Sequence, residues 1–235
     1  MKIDISIVMK YRKEYYGLAI ILPLIIFIRI TIGEICTVPS SSMEPTILSG
    51  DRVWIDKTTY GSRLPQNWIE IPLINILIIL WSHRIVDMKS NWSYFRLPGV
   101  GEIRNNDIIV FNSPLDKREL LVKRISEIYH TGDTLVLNFK NFDRLKKVVE
   151  YEQKSIFSKN GKVFINGTAD STLRLQQSYY YVLGDNIQNS LDSRTFGYIP
   201  ESSIVGKMSM ILYSIDNNAP LKNRCRLSRT FMQIK

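Results

Sequence analysis

The stretch Val38-Pro39-Ser40-Ser41-Ser42-Met43-Glu44-Pro45-Thr46-Ile47-Leu48-Ser49-Gly50-Asp51 sets three serines between two prolines and ends in a turn. Around it, residues 34–56 alternate short apolar runs with turn residues, the pattern of strand, tight loop and strand. Ser49-Gly50-Asp51 marks the turn, and Arg52-Val53-Trp54-Ile55-Asp56 alternates as a half-buried strand does. On composition alone a serine triplet reads equally as a flexible loop. The prolines argue against floppiness, because each fixes its own φ and restricts the residue before it.

Outward from this loop, the body of the chain carries more strand signals. Ile108-Ile109-Val110-Phe111, ended by Asn112-Ser113-Pro114, has the length and flanks of a buried strand. Glu119 to Ile125, Gly161 to Ile165 before Asn166-Gly167, Tyr179 to Leu183 and Ile204 to Ser214 complete the set. No long helical periodicity is expected after residue 33, and Asn138–Lys162, rich in Lys, Glu and Asn, reads as a solvated hairpin or loop. The expectation is a mostly-β domain over 34–235. An insertion at 60–99 contains the apolar run Ile69–Trp81, which reads either as a buried strand or short core helix, or as a loop dipping into a bilayer.

The 235 residues carry 31 Lys+Arg against 22 Asp+Glu, a net of +9, with 45% hydrophobic residues. That apolar fraction excludes a disordered chain. The location of the charge then narrows the partner. Before residue 17, Lys2, Lys10, Arg12 and Lys13 outnumber Asp4 and Glu14 by two, and Lys222, Arg224, Arg226, Arg229 and Lys235 crowd the far end without an acid. Seven of the nine net charges therefore lie at the ends, and the body is near neutral, so nucleic acid is not the expected partner. Tyr15 to Ile32 is an 18-residue segment with one charge, Arg29, close to the roughly 17–25 residues of a membrane span. The chain accordingly reads as a short cytoplasmic tail (1–16), an uncleaved transmembrane anchor (17–33) and an extracytoplasmic domain, with the basic tail kept inside. A cleaved leader fits less well, since no small-x-small site follows the apolar run. The C-terminal cations are expected to press against anionic headgroups.

Candidate chemistry is confined to a few residues. Cys36, His83, His130 and Cys225 show no metal-ligand spacing, so neither a metal nor another cofactor is expected. Whether Cys36 and Cys225 pair is left open. A hydroxyl nucleophile needs a base, and neither histidine has convincing company. Lys123 sits inside the apolar run Leu120 to Ile125, where burial disfavours the ammonium form; the same pattern also fits a lysine pointing outward. A third segment, Gly184 to Pro200, is dense in hydrogen-bonding groups, including Ser190, Asp192, Ser193 and Arg194. An Asp192–Arg194 ion pair is expected there, with Ser190 and Ser193 free to orient a base, although a structural polar loop accounts for the segment about as well.

Taken in order after an N-terminal anchor, these segments resemble the type I signal peptidases, membrane-bound serine proteases of the Ser/Lys class. The likeness is carried by Pro39-Ser40-Ser41-Ser42-Met43-Glu44-Pro45-Thr46 and by Gly184-Asp185-Asn186 through Ser190, Asp192-Ser193-Arg194 and Gly197. It implies the β-fold shared with self-cleaving repressor-type proteases. It also implies removal of signal peptides from exported preproteins after an Ala-x-Ala-like site. Ser42 would be the nucleophile and Lys123 the general base, with the Ser42 N–H and the Ser40 hydroxyl as oxyanion hole. Ser190 would orient the lysine, and Asp192 with Arg194 would support the site. Val38, Pro39, Ile47, Val53, Val110 and Val122 would line the substrate pockets. The implied location is the bacterial cytoplasmic membrane, single-pass, with preproteins and lipid as partners and no obligate protein partner. One span is required, because a second crossing at Ile69–Trp81 would put Ser42 and Lys123 on opposite sides.

The chain departs from the family pattern at several points. Ser41 and Asn106 stand where glycine is usual, Ile187 and Gln188 replace a charged pair, and the turn after Lys123 reads His130-Thr131-Gly132-Asp133. Two rival readings exist. A self-cleaving repressor would carry a DNA-binding domain where this chain has an anchor, and a non-catalytic binding protein would be expected to have lost one of the five polar residues.

Overall fold

A computed structural model describes residues 5–67, 70–71, 92–116, 119–159, 162–168, 171–216, 218–220 and 224–234, with backbone only for 5–16 and 18. It opens with α1 (Ile5–Thr31), which holds Pro23 and ends in the cation Arg29, as suits the negative end of a helix dipole. Large apolar side chains on its surface, among them Ile20, Leu24 and Phe27, are exposed. Among the described residues no helix is long and apolar enough to cross a membrane. Apart from Glu70 and Ile71, the run Ile69–Trp81 lies outside the described residues, as does His83.

The main element is an eight-stranded antiparallel sheet, so the mostly-β expectation holds. Its strands are β1 (Gly33–Thr37), β2 (Asp51–Asp56), β3 (Ile108–Asn112), β4 (Leu120–Tyr129), β9 (Tyr179–Leu183), β10 (Ile199–Pro200), β11 (Ile204–Ser214) and β12 (Met232–Gln233). The order is β1-β2-β11-β3-β4-β9-β10, with β12 added to β11. β3 shows why its sequence lacks alternation. Ile108 and Val110 enter one core with Val38, Met43, Ile47, Val53 and Ile55. Ile109 and Phe111 enter a second core with Ile125, Val182, Phe196 and Ile204. A strand with both faces covered has no polar side to show. Each of these side chains contributes about 1.5–3 kcal/mol by leaving water.

β4 joins two halves of the sheet. Leu120 to Arg124 pair with β3, Arg124 to Tyr129 pair with β9, and a register shift between Ile125 and Glu127 bends the strand. Bulges re-aim side chains next to sites, and Lys123 lies just before this one.

A smaller lobe follows, from β5 (Thr134–Val136) through β6 (Ile156–Lys159) and β7 (Lys162–Ile165) to β8 (Thr172–Arg174), and it corrects the reading of Asn138–Lys162. That segment contains α2 (Phe142–Tyr151), whose Leu145, Val148 and Val149 are buried. Their spacing of three and four is a helical stripe. It was masked by the charged residues between, and it seals a third core with Leu135, Val163, Leu173 and Tyr179. Asn166-Gly167 does form a tight turn, with φ of 51° and 81°, but it leads to a single bridge, Ile165 to Thr168. The β6–β7 hairpin lies on the other side of β7.

The ends of the 60–99 insertion are tied to the sheet. Arg63 and Arg96 form a bridge, and the Arg96 guanidinium donates to the carbonyls of Gly61, Glu201 and Ile204. Both Cys36 and Cys225 are free thiols.

Candidate active site

The loop 38–51 leaves β1 and returns as β2 through a closed neck. The Val38 N–H donates to the Asp51 carbonyl and the Gly50 N–H to the Val38 carbonyl, both at 2.9 Å. Gly50 has φ of +91°, and a Cβ there would lie 1.9 Å from the Ile215 carbonyl oxygen, so no other residue fits this turn. Inside the neck, Glu44 N–H donates to the Ser41 carbonyl and Ile47 N–H to the Met43 carbonyl, winding the chain into successive turns. Met43 and Ile47 face the core and are 1% and 0% exposed. That burial holds Ser42 at a defined place. Among the described residues other than glycine, positive φ occurs at Asn106, Gln153, Asn166 and Phe231. Ser41 is therefore in ordinary backbone space, and its departure from glycine carries no strain. Asn106, at φ 70°, is the side chain that best tolerates the conformation a glycine would take there.

Lys123 reaches this loop from β4. Its Nζ donates to the Ser42 Oγ at 2.7 Å, and the two residues are 2% and 7% exposed. Ser40 Oγ lies 3.3 Å from Ser42 Oγ. Burial pushes the Lys123 pKa down, opposed by the charges of Asp192, Glu119 and Asp185. An unperturbed lysine near 10.4 would be neutral in only about one molecule in 2,500 at pH 7, and the depression raises that fraction. A neutral amine hydrogen-bonded to a hydroxyl can take its proton as the oxygen attacks.

Of the three charges that oppose this shift, the two aspartates are engaged by arginines. Asp185 accepts two bonds from Arg124, at 2.9 and 2.8 Å. Asp192 is fully buried and accepts from Arg194 Nε and Nη2, each at 2.8 Å, as well as from the backbone N–H of Arg194 and of Gly184. Burial alone would raise the Asp192 pKa, but these bonds, with Ser190 adding to them, hold it down at about 2. The expected Asp192–Arg194 pair is thus present.

The remaining sequence expectations divide. Ser190 Oγ is buried with no hydrogen-bond partner of ordinary geometry, so it does not bond to the Lys123 amine. Ser193 is spent elsewhere, its Oγ accepting the Val182 N–H at 2.9 Å and fastening α3 (Ser193–Phe196) to β9. Val38, Ile47, Val53 and Val110 are 0–2% exposed and belong to the core. Val122 is half-buried against that core and Pro39 is exposed, so of the six only these two keep surface.

Sequence reasoning missed several loop-holding groups. Asn186 donates from its backbone to the Ser42 carbonyl and from Nδ2 to the Ser41 carbonyl, each at 3.1 Å. Asn189 Nδ2 donates to Ser41 Oγ at 2.7 Å. Gly184 presses on the loop so closely that a Cβ would lie 2.1 Å from Ser190 Oγ and 2.6 Å from the Ser42 carbonyl oxygen. The polar density of Gly184–Asn189 was the available signal. Of the C-terminal cations, Arg226 and Arg229 pair with Asp216 and Asp51, Arg224 is exposed, and Lys222 and Lys235 lie outside the described residues.

A family model described as signal peptidase, peptidase S26, matches residues 12–213. The chain is 25% identical over 224 residues to the signal peptidase I of Aquifex aeolicus (strain VF5), covering 86% of this chain and 84% of that protein. It is 28% identical over 230 residues to the signal peptidase I of Buchnera aphidicola subsp. Acyrthosiphon pisum (strain APS), covering 83% and 72%. With that of Rickettsia akari (strain Hartford) it shares 25% over 236 residues, covering 88% and 81%. The matched region includes Ser42, Lys123 and the 184–197 segment that bonds to the Ser41–Ser42 loop, and the chain therefore belongs to the signal peptidase family, peptidase S26, and is a serine endopeptidase.

Proposed function

We propose that this protein removes signal peptides from exported preproteins with Ser42 as nucleophile and Lys123 as general base. The observation that carries this is the 2.7 Å bond between Lys123 Nζ and Ser42 Oγ in a water-poor site. Neutral Lys123 accepts the Ser42 proton as Oγ attacks the scissile carbonyl carbon. The resulting oxyanion is held by the Ser42 N–H, which meets no acceptor among the described residues, and by the Ser40 hydroxyl. The protonated lysine then gives its proton to the leaving amine, leaving an ester on Ser42. Lys123 next deprotonates a water that hydrolyses the ester and frees the second product. Ser190 makes no bond to the Lys123 amine in this structure; its buried hydroxyl, beside Gly184 and lacking a partner of ordinary geometry, would have to turn to accept from the protonated lysine.

We infer that the substrate pockets are shallow, since of the residues assigned to them Val38, Ile47, Val53 and Val110 are buried in the core and only Val122 and Pro39 keep exposed surface. A filled floor accepts a methyl group and rejects larger side chains, the basis of an Ala-x-Ala preference. We further infer that α1 anchors the enzyme in a bacterial cytoplasmic membrane with residues 1–16 inside. The support for this reading is the segment Tyr15–Ile32, 18 residues with the single charge Arg29, together with the exposure of Ile20, Leu24 and Phe27 on α1.

The test is cleavage of a preprotein whose signal ends in Ala-x-Ala by the full chain in detergent. Processing should stop in both Ser42→Ala and Lys123→Ala, and cleavage that persists in either sinks the mechanism. A C-terminal tag that proteases cannot reach from outside spheroplasts sinks the orientation.

A further inference from the structure

The nucleophile loop is gripped from a second side by residues far away in the sequence. Asp51, at the loop's exit, is fully buried, and its Oδ2 accepts the Leu48 N–H at 2.9 Å. Arg229 meets both oxygens of that carboxylate, Nε to Oδ1 at 3.2 Å and Nη2 to Oδ2 at 2.6 Å. The same Nη2 also donates to the Thr46 carbonyl at 2.9 Å. One turn earlier, Arg226 Nη1 donates to the Ser49 carbonyl at 3.0 Å and to Ser214 Oγ at 3.1 Å, while its other nitrogen pairs with Asp216. Two arginines thus hold the carbonyls on either side of Ile47-Leu48, and they hold the carboxylate that orients the Leu48 N–H. A planar fork with fixed donor directions can do this, whereas an ammonium cannot.

We propose that Arg229 is a positioning residue for catalysis: through Asp51 and the Thr46 carbonyl it fixes the loop so that Ser42 Oγ stays in line with Lys123. The inference rests on the Ser42/Lys123 reading. It assigns to the C-terminal segment a role in the reaction. The physical argument is one of distance. The Ser42 backbone is clamped on its other side by Asn186. Among the hydrogen bonds that hold residues 46–51, the bidentate Arg229–Asp51 contact joins the Thr46 carbonyl and the Leu48 N–H through one guanidinium, so its loss loosens both at once. A shift on the order of 1 Å in a reacting group costs about 100-fold in rate.

The test compares wild type with Arg229→Lys, with the paired Asp51→Asn/Arg229→Gln, which removes both charges together, and with Ser42→Ala, all as the full chain in detergent. The expected result is a fall in kcat of about 100-fold for the first two variants with KM within about three-fold. Circular dichroism and melting are recorded at the assay temperature to show that the protein is folded. In Arg229→Ala, added guanidinium ion should restore at least ten-fold of the lost kcat, which a general loss of stability would not allow. Wild-type kcat in folded Arg229→Lys, or a kcat loss that only tracks the unfolded fraction, overturns the inference alone. Cleavage that survives in Ser42→Ala overturns the underlying reading and this inference with it.

Discussion

Lys123 and Lys207 are both registered to Ile109, from the strands on either side of β3, yet they meet opposite fates. Lys207 pairs with Oδ1 of Asp107 at 2.5 Å, the other oxygen being held by the Tyr60 hydroxyl and the Arg104 N–H, and its side chain remains about one-third exposed. Lys123 is buried, and its nearest partner is a hydroxyl. Asp185 and Asp192 lie close enough to raise its pKa, but Arg124 and Arg194 already occupy their oxygens. Arginine engagement of Asp185 and Asp192 leaves Lys123 bonded to a hydroxyl where Lys207 has a carboxylate, and on the proposed mechanism this is the difference between a base and an ion-pair partner. A strand position alone does not decide it.

The sharpest way to break this contrast is to remove each amine in turn. Lys123→Ala should lower kcat/KM by more than about 1,000-fold, as loss of a catalytic base does, while Lys207→Met should stay within about three-fold. Equal losses in a preprotein cleavage assay would end the distinction. A smaller effect is expected from freeing a carboxylate. Arg194→Gln leaves the Asp192 charge less neutralised beside Lys123, which raises the lysine pKa. The acid limb of the pH–rate profile should then move to higher pH by about half to one unit, with a three- to ten-fold loss at pH 7. An unmoved limb would show that the arginine does not shield the base.

The ion pair at Lys207 should be visible in stability. Asp51, Asp107, Asp185 and Asp192 all have folded pKa values below the ordinary carboxylate value, Asp192 at about 2. The folded pKa being the lower one, each contributes stability above the unfolded value of about 3.9 and loses it as pH falls toward 2. Urea midpoints should therefore drop over that window. Lys207→Met, by letting the Asp107 pKa rise, should lower stability near neutrality by about 0.5–1 kcal/mol and reduce the drop. The smallest effect is set by Glu119, an exposed acid whose charge raises the Lys123 pKa. Glu119→Gln should move the acid limb to lower pH by a few tenths of a unit at low salt and by less at high salt.

Much of the strand framework was legible because its signals are local. Tyr179–Leu183 and Ile204–Ser214 are strands over the residues expected, and β2 alternates buried and half-buried residues as its sequence does. The helix α2 was hidden because its stripe of Leu145, Val148 and Val149 is short and set among charges. Ser42 and Lys123 were legible as candidates by residue type and by resemblance. Ser193 was misjudged because a hydroxyl in a polar loop gives no sign of whether a strand amide will claim it, as Val182 does.

The amino-acid sequence by itself determined where the strands run, which serine lies in a constrained loop, and which lysine sits in an apolar run. These follow from dihedral limits and side-chain periodicity, which act over a few residues. Only the tertiary structure decided that Lys123 meets Ser42 across 81 residues, that its aspartate neighbours are already bound, and that Arg226 and Arg229 turn inward. Those outcomes depend on which polar groups remain unpartnered once the sheet has closed, a competition settled by distance in space, which the order of residues does not record.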